Sequence, residues 1–327
     1  MIFISEIRKN PITGDLVIFA TERNNRPYDF IKKNELKYDS DKNCPFCPGN
    51  ERETPKEVYK DDENNWSIRV FQNKYPILQE FDRKIFDYDF YECFCGYGIH
   101  EVVVDTPKHI QKLYEYSDEH IINVIKSLKE RFNSIYNKDN INYVQIFRNY
   151  GYNAGMSLIH SHWQILGMSI YGKIQRDMIY NIREYLNKNN NCIICDIIFN
   201  ERNQKIRIIS ENENFISFVP YAAKFSYEIY IVPKKHISTF NDFDNYHIRD
   251  FALILKDMMK RVYKINDNIS YNICFMDSPK CLEQKHFHWY ANIVPRIGNL
   301  AGFELSTGAF INPVMPEFSA EFYRKFN

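Results

Sequence analysis

Along the first half of the chain the spacing of apolar residues changes period in a way that predicts strand, helix, strand. Glu101-Val-Val-Val opens a short apolar run of strand length that closes at Pro107. Ile121, Val124, Ile125, Leu128, Phe132 and Ile135 then recur at three- and four-residue spacing, the stripe of an amphipathic helix. Ser117 precedes it as an N-cap, followed by Asp118 and Glu119. Carboxylates there satisfy free N–H groups and suit the helix dipole. Residues 143–147 read as a strand, and a glycine-containing turn leads to a further one at 160–164.

The second half repeats this order. Glu228-Ile-Tyr-Ile matches the first run, Ile248, Phe251, Leu255, Met258 and Val262 share one helix face, and 271–275 reads as a strand. Polar landmarks keep step with the apolar ones. Cys44-Pro-Phe-Cys47, His109 and His160-Ser-His162 answer to Cys192-Ile-Ile-Cys195, His236 and His286-Phe-His288. His109 to His160 is 51 residues, and His236 to His286 is 50. Each middle histidine lies eight residues after its glutamate. This periodicity implies an internal duplication, with halves at 1–175 and 185–327 joined by a connector around 171–191. Relative to the second half, 21 additional residues separate Cys47 from His109, an expected loop or extra strand.

Charge and composition narrow the partners. Lys plus Arg and Asp plus Glu both number 42, so the basic excess expected of a nucleic-acid binder is missing. The first residues are too short an apolar stretch for a signal peptide, and no run of eighteen apolar residues occurs. A cytoplasmic protein is expected. In that setting eight cysteines that include two Cys-x-x-Cys pairs point to metal binding rather than disulfides. The first tetrahedral set is Cys44, Cys47, His109 and His160; the second is Cys192, Cys195, His236 and His286, both suited to zinc. Buried thiols or a redox pair are the alternative. The second pair lacks the turn formers Pro45, Pro48 and Gly49. Cys93, Cys95, Cys274 and Cys281 have no matching partners and read as ordinary cysteines.

The densest chemistry lies in Asn149-Tyr-Gly-Tyr-Asn-Ala-Gly155-Met-Ser157-Leu-Ile-His160-Ser-His162-Trp-Gln164. On a strand, side chains alternate, so His160, His162 and Gln164 share a face while Ser161 and Trp163 point away. One histidine holds metal and its neighbour stands free. A neutral imidazole attacks phosphorus and leaves again readily, which makes His162 the candidate nucleophile. Gln164 is placed to bond a non-bridging oxygen. The glycines, with Ser157, offer N–H groups to phosphate. A structural histidine and an exposed glutamine are the plainer readings.

This segment resembles the active-site signature of the galactose-1-phosphate uridylyltransferase family, a branch of the histidine-triad superfamily. The likeness extends over Arg8-Lys-Asn-Pro11-Ile-Thr-Gly14, Arg23-Asn-Asn-Arg26-Pro27, the first knuckle through Glu51, Arg69-Val-Phe-Gln-Asn73-Lys-Tyr-Pro76 and His100-Glu-Val-Val-Val-Asp-Thr-Pro-Lys-His109. It ends in a tail from Gly302-Phe-Glu304 through Asn312-Pro313 to Pro316-Glu317. The resemblance implies an α/β (α+β) fold of two tandem histidine-triad-like halves around a mostly antiparallel sheet, and a homodimer. It implies that His162 takes the uridylyl group of UDP-glucose and passes it to a hexose 1-phosphate. Arg23, Arg26, Asn73, Asn149, Gly155, Ser157 and Gln164 would contact nucleotide or phosphates, and Glu304 a hexose hydroxyl. His288, without the glycine-rich approach or a following glutamine, leaves one catalytic half. His-Ser-His in place of His-Pro-His, two Cys-x-x-Cys knuckles and the Gly-Phe-Glu tail also resemble the ADP-glucose phosphorylase branch, in which histidine carries AMP and phosphate accepts it. A non-catalytic zinc-containing binding module, and a hydrolase that transfers to water, are the competing readings.

Overall fold

The computed structural model describes residues 5–25, 41–81, 90–282 and 286–326. Its strands, in chain order, are β1 (Glu6–Lys9), β2 (Leu16–Phe19), β3 (Glu57–Lys60), β4 (Arg69–Gln72), β5 (Gly98–Val104), β6 (Tyr143–Tyr150), β7 (His162–Met168), β8 (Ile208–Glu211), β9 (Phe215–Phe218), β10 (Ile229–Pro233), β11 (Tyr271–Met276), β12 (Tyr290–Pro295) and β13 (Phe310–Asn312). The helices are α1 (Asp118–Tyr136), α2 (Lys173–Asn189), α3 (Ile193–Gln204), α4 (Asn245–Val262), α5 (Gly302–Thr307) and α6 (Pro316–Arg324).

Ten strands form one sheet in the order β3-β4-β5-β7-β6-β11-β12-β10-β9-β8, every pair antiparallel. Read outward from the β6–β11 seam, the two sides run 6-7-5-4-3 and 11-12-10-9-8, the same path twice. A small sheet, β1-β2-β13, stands apart from it. The connector seen in the sequence is mostly helix, α2. The additional stretch before His109 contributes a single bridge, Gln79 to Tyr97, among the described residues.

The helices expected from periodicity form, and their caps explain where they start. Ser117 accepts from His120 N ahead of α1, and Asp244 accepts from His247 N ahead of α4. All six apolar positions of the predicted α1 stripe are buried. α1 and α4 lie side by side, and their stripes close over Trp163, Trp289 and the inner sheet residues to form the main core. Full burial of each such side chain stabilises by roughly 1.5–3 kcal/mol, so this layer anchors the sheet.

The two halves cover the opposite sheet face differently. In the second, Met178 and Ile182 of α2 and Ile194 and Ile198 of α3 pack with Phe218, Tyr230 and Tyr290. In the first, the Cys44–Cys47 turn, Phe46 and Trp66 lie on Phe71, Val102 and Val104. No described helix is long and apolar enough to cross a membrane.

Candidate functional site

Two Cys/His clusters form, one per half. In the first, Cys44 Sγ lies 3.6 Å from His160 Nδ1, and Cys47 Sγ lies 3.4 Å from His160 Nδ1 and 3.3 Å from His109 Nδ1. A tetrahedral ion with sulfur at about 2.3 Å and nitrogen at about 2.0 Å would space its ligand atoms by about 3.5 Å. The donor set therefore fits a metal of that geometry without rearrangement. The far nitrogen of His160 is fixed as well, with Nε2–H donating to the Thr106 carbonyl at 2.8 Å, the outer-shell bond typical of metal-ligating imidazoles.

The second cluster is Cys192, Cys195, His236 and His288, and this corrects the sequence expectation of His286. Cys192 Sγ is 3.8 Å from His288 Nδ1, and Cys195 Sγ is 3.5 Å from it and 3.6 Å from His236 Nδ1. The reason lies in where the chain meets the cluster. His288 Nε2–H donates to the Pro233 carbonyl at 2.9 Å, three residues before His236, just as Thr106 stands three before His109. His286 is two residues farther from the strand, roughly 6–7 Å along an extended chain. Matching one His-x-His to the other put the pair out of step; by structure His160 corresponds to His288.

His162 opens β7 and is buried, 5% exposed. Its Nδ1 lies 2.8 Å from the His160 carbonyl oxygen, which can only accept. The proton therefore sits on Nδ1, and Nε2 keeps its lone pair. Burial pulls the imidazole pKa down; the carbonyl bond opposes this and the Arg148 charge adds to it, for a net lowering. The Phe46 ring stands edge-on at 5.3 Å between centroids. The site thus holds a neutral imidazole in one tautomer.

The strand alternates as expected. Gln164 shares the His162 face, while Ser161 and Trp163 turn inward to a buried carboxylate, Asp105. It takes bonds from Ser161 Oγ, Arg148 Nη1, Tyr116 OH at 3.0 Å and Trp163 Nε1 at 2.9 Å. Burial alone would raise the Asp105 pKa, but Arg148 and the hydroxyl donors outweigh it and hold the group below its ordinary range. This network grips the backbone between the two histidines from behind. The sequence carried one signal for it: a lone carboxylate at the end of an apolar strand, which demands buried partners.

Other expected positions are distributed as follows. Gly151 and Gly155 both have positive φ, +87° and +77°, shaping the turn between β6 and β7. Ser157 is exposed on that turn. Asn149 Oδ1 accepts from Asn272 Nδ2 at 2.8 Å across the seam between the halves. Asn73 follows β4, and its N–H donates to His100 O at 2.7 Å. Arg23 is exposed in a 3-10 turn, Thr21–Asn25, and Arg26 lies outside the described residues. Glu304, on α5, lines a separate cavity of about 190 Å³ with Lys224, Ser226, Asn299 and Phe310, whose walls include no residue of the His162 segment. Sequence reasoning overlooked His100 as a participant. The β5–β7 register sets Val102 opposite Gln164 and Val104 opposite His162, which brings His100 diagonally to Gln164 with Nε2 at 2.9 Å from its Oε1.

The sequence pattern described as Galactose-1-phosphate uridyl transferase, N-terminal domain, matches residues 2–171, and its C-terminal domain matches 144–305. The chain belongs to this family. As a galactose-1-phosphate uridylyltransferase family member it is a nucleotidyltransferase. The ADP-glucose phosphorylase of Arabidopsis thaliana is 33% identical over 98% of this chain and 92% of the plant protein. The galactose-1-phosphate uridylyltransferase of Thermotoga maritima is 29% identical, covering 98% of both chains. The crystal structure of the Arabidopsis ADP-glucose phosphorylase with bound ADP-glucose superposes with a TM-score of 0.86 at 32% identity, over 99% of this chain and 100% of that one.

Proposed function

We propose that the protein transfers a nucleoside monophosphate from a nucleoside-diphosphate hexose by two displacements through His162. The carrying observation is the bond from His162 Nδ1 to the His160 carbonyl, which leaves Nε2 as a neutral nucleophile. In the first step Nε2 bonds to the α-phosphorus while the bond from that phosphorus to the bridging oxygen breaks and hexose 1-phosphate departs as an anion. In the second an acceptor phosphate oxygen bonds to the same phosphorus, and the P–N bond breaks to restore the imidazole. No proton needs to be removed from the nucleophile in either direction.

Gln164 donates to a non-bridging oxygen as negative charge builds. Gly155, Ser157 and Asn149 shape the phosphate side of the site. Asn73, Arg23 and Arg26 contact the nucleotide, and Glu304 a hexose hydroxyl. Zinc fits both clusters: Cys44, Cys47, His109 and His160 would hold one ion and Cys192, Cys195, His236 and His288 another, and each would supply a structural tie between its knuckle and the histidines. The family likeness supports a homodimer, and reduced thiolates in both knuckles suit the cytoplasm.

On the donor, two relatives point in different directions. The uridylyltransferase of Thermotoga supports UDP-glucose with a hexose 1-phosphate acceptor. The higher identity to the plant ADP-glucose phosphorylase, together with Ser161 tied into the Asp105 network where proline stands in His-Pro-His signatures, favours ADP-glucose with inorganic phosphate. Intact-protein mass spectrometry after mixing with each sugar nucleotide tests both. We expect an acid-labile adduct of one nucleoside monophosphate on wild type and none on His162→Asn. No adduct from either donor on folded, metal-loaded protein would refute the double displacement.

A further inference from the structure

We propose that His100 is a positioning residue for this reaction: it holds the Gln164 carboxamide with its NH2 toward the transferring phosphoryl group. The inference rests on the reading of His162 given above and deepens it.

The argument follows the protons. The Ile77 backbone N–H donates to His100 Nδ1 at 3.2 Å, so that nitrogen carries a lone pair. A neutral imidazole has one N–H, which must then sit on Nε2. Nε2 lies 2.9 Å from Gln164 Oε1, and the bond runs from histidine to glutamine. With its oxygen held, the carboxamide presents NH2 on its other side. Rotated by half a turn, the same side chain would offer a carbonyl oxygen to an anionic phosphate and repel it.

Asn73 is set the same way. Its Oδ1 accepts from Tyr75 N at 2.9 Å, and its Nδ2 lies 3.4 Å from His100 Nε2, which already carries a proton and cannot accept. Both carboxamides thus have their oxygens engaged, and the NH2 of Gln164 is left for an anion on the strand face that it shares with His162. His100 is 4% exposed, and burial lowers its pKa, which favours the neutral ring, while the Ile77 N–H selects its tautomer. Uncharged donors aligned in advance stabilise developing charge without reorganising.

The test uses the full chain and single-turnover formation of the His162 adduct. His100→Asn keeps an oxygen near the Nδ1 position for Ile77 but has no group that reaches Gln164; adduct formation is expected to slow by about tenfold. His100→Gln places an amide nitrogen where Nε2 stood and is expected to recover to within about threefold of wild type. In a Gln164→Ala background, His100→Asn is expected to slow the reaction little further, because nothing is left to orient. Equal slowing in both backgrounds, or none in either, overturns the proposal. If wild type forms no adduct with either sugar nucleotide, it is the reading of His162 that has failed. The 15N spectrum of the His100 ring then decides the orientation by itself: a protonated Nε2 with bare Nδ1 is expected, and a protonated Nδ1 overturns it.

Discussion

Two residues after the cluster histidine His160, the first half places His162; two residues after His288, the second half places Tyr290. The clusters themselves are alike, from their sulfur–nitrogen spacings to the carbonyl that steadies each histidine. The surroundings differ. His162 follows the glycine-bearing turn along the chain and meets the edge of Phe46. Tyr290 is packed against Tyr230 at 4.7 Å between centroids, with Met178 of α2 behind it, and the Asn10 side chain reaches Tyr230 OH from the turn after β1. Gln164 is answered by Asn292, whose amide donates to buried Glu228. A scaffold that runs the same path twice can keep its Cys/His cluster in both copies while the sheet face beside one of them is filled with side chains. The chemistry then depends on what occupies that face, and the comparison can be broken at several points.

The largest effect is expected at the proposed nucleophile. His162→Asn should abolish the adduct and lower turnover by about 10⁴-fold or more, whereas Tyr290→Phe should stay within about twofold. Steady-state rates and adduct mass check both, and a severe loss in Tyr290→Phe would mean that the second half takes part in chemistry. Next comes the metal. Cys44→Ser and Cys192→Ser should each remove about one metal equivalent, read by elemental analysis. The first should also slow turnover by roughly 10–100-fold, since His160 supports the nucleophile's backbone. The second should lower the melting temperature and leave most of the rate.

A third difference lies one residue after each cluster histidine. Ser161 enters the Asp105–Arg148 network, while Trp289 enters an aromatic cluster with Phe240, Phe243, Phe251 and Phe275. Breaking a buried ion pair from one side costs about 3–5 kcal/mol, so Asp105→Asn should lose that much in denaturant unfolding. The pH dependence has a definite sign. The folded pKa of Asp105 lies below its unfolded value of about 3.9. Its contribution is therefore complete above about pH 4 and is lost as pH falls through the folded value. Wild type should lose more stability on acidification than Asp105→Asn does; parallel curves would remove the network from the account.

Periodicity was the most readable part of the sequence. α1 begins at the cap expected of Ser117, the apolar face expected of α4 is buried, and the strand carrying His162 alternates as a strand must. Cluster membership was readable up to one residue. Cys192, Cys195 and His236 come together as expected, but two His-x-His motifs of similar spacing invited a one-to-one match, and the register of β12 joins His288 to them instead. What His100 and Asp105 meet was beyond sequence reasoning for a different reason. Their partners, Gln164 and Arg148, lie 64 and 43 residues away and meet them only through the pairing of β5 with β7 and the packing beside it. Strand period predicts which face a residue takes, but not which strand lies next to it.

The smallest effects should separate the two glycines of the turn between β6 and β7, which has no counterpart in the glycine-free connection between β11 and β12. Gly155 has φ +77° and ψ +28°, and a Cβ there would meet nothing within 4 Å. Alanine should cost only the left-handed penalty, about 1 kcal/mol, with little change in rate. Gly151 has φ +87° and ψ +159°, a region almost confined to glycine, and its Cβ would fall 2.2 Å from Ser270 Oγ and 2.8 Å from Ser270 Cα. Ser270 immediately precedes β11, so relief of that clash would push apart the β6–β11 seam, where Tyr150 pairs with Tyr271. Gly151→Ala should therefore cost about 1–3 kcal/mol in stability and slow adduct formation by displacing the turn that leads into β7 and His162. If the two alanine variants behave alike in thermal unfolding and in adduct rate, the close approach at the seam does not constrain the site. The glycines would then serve only to let the chain turn.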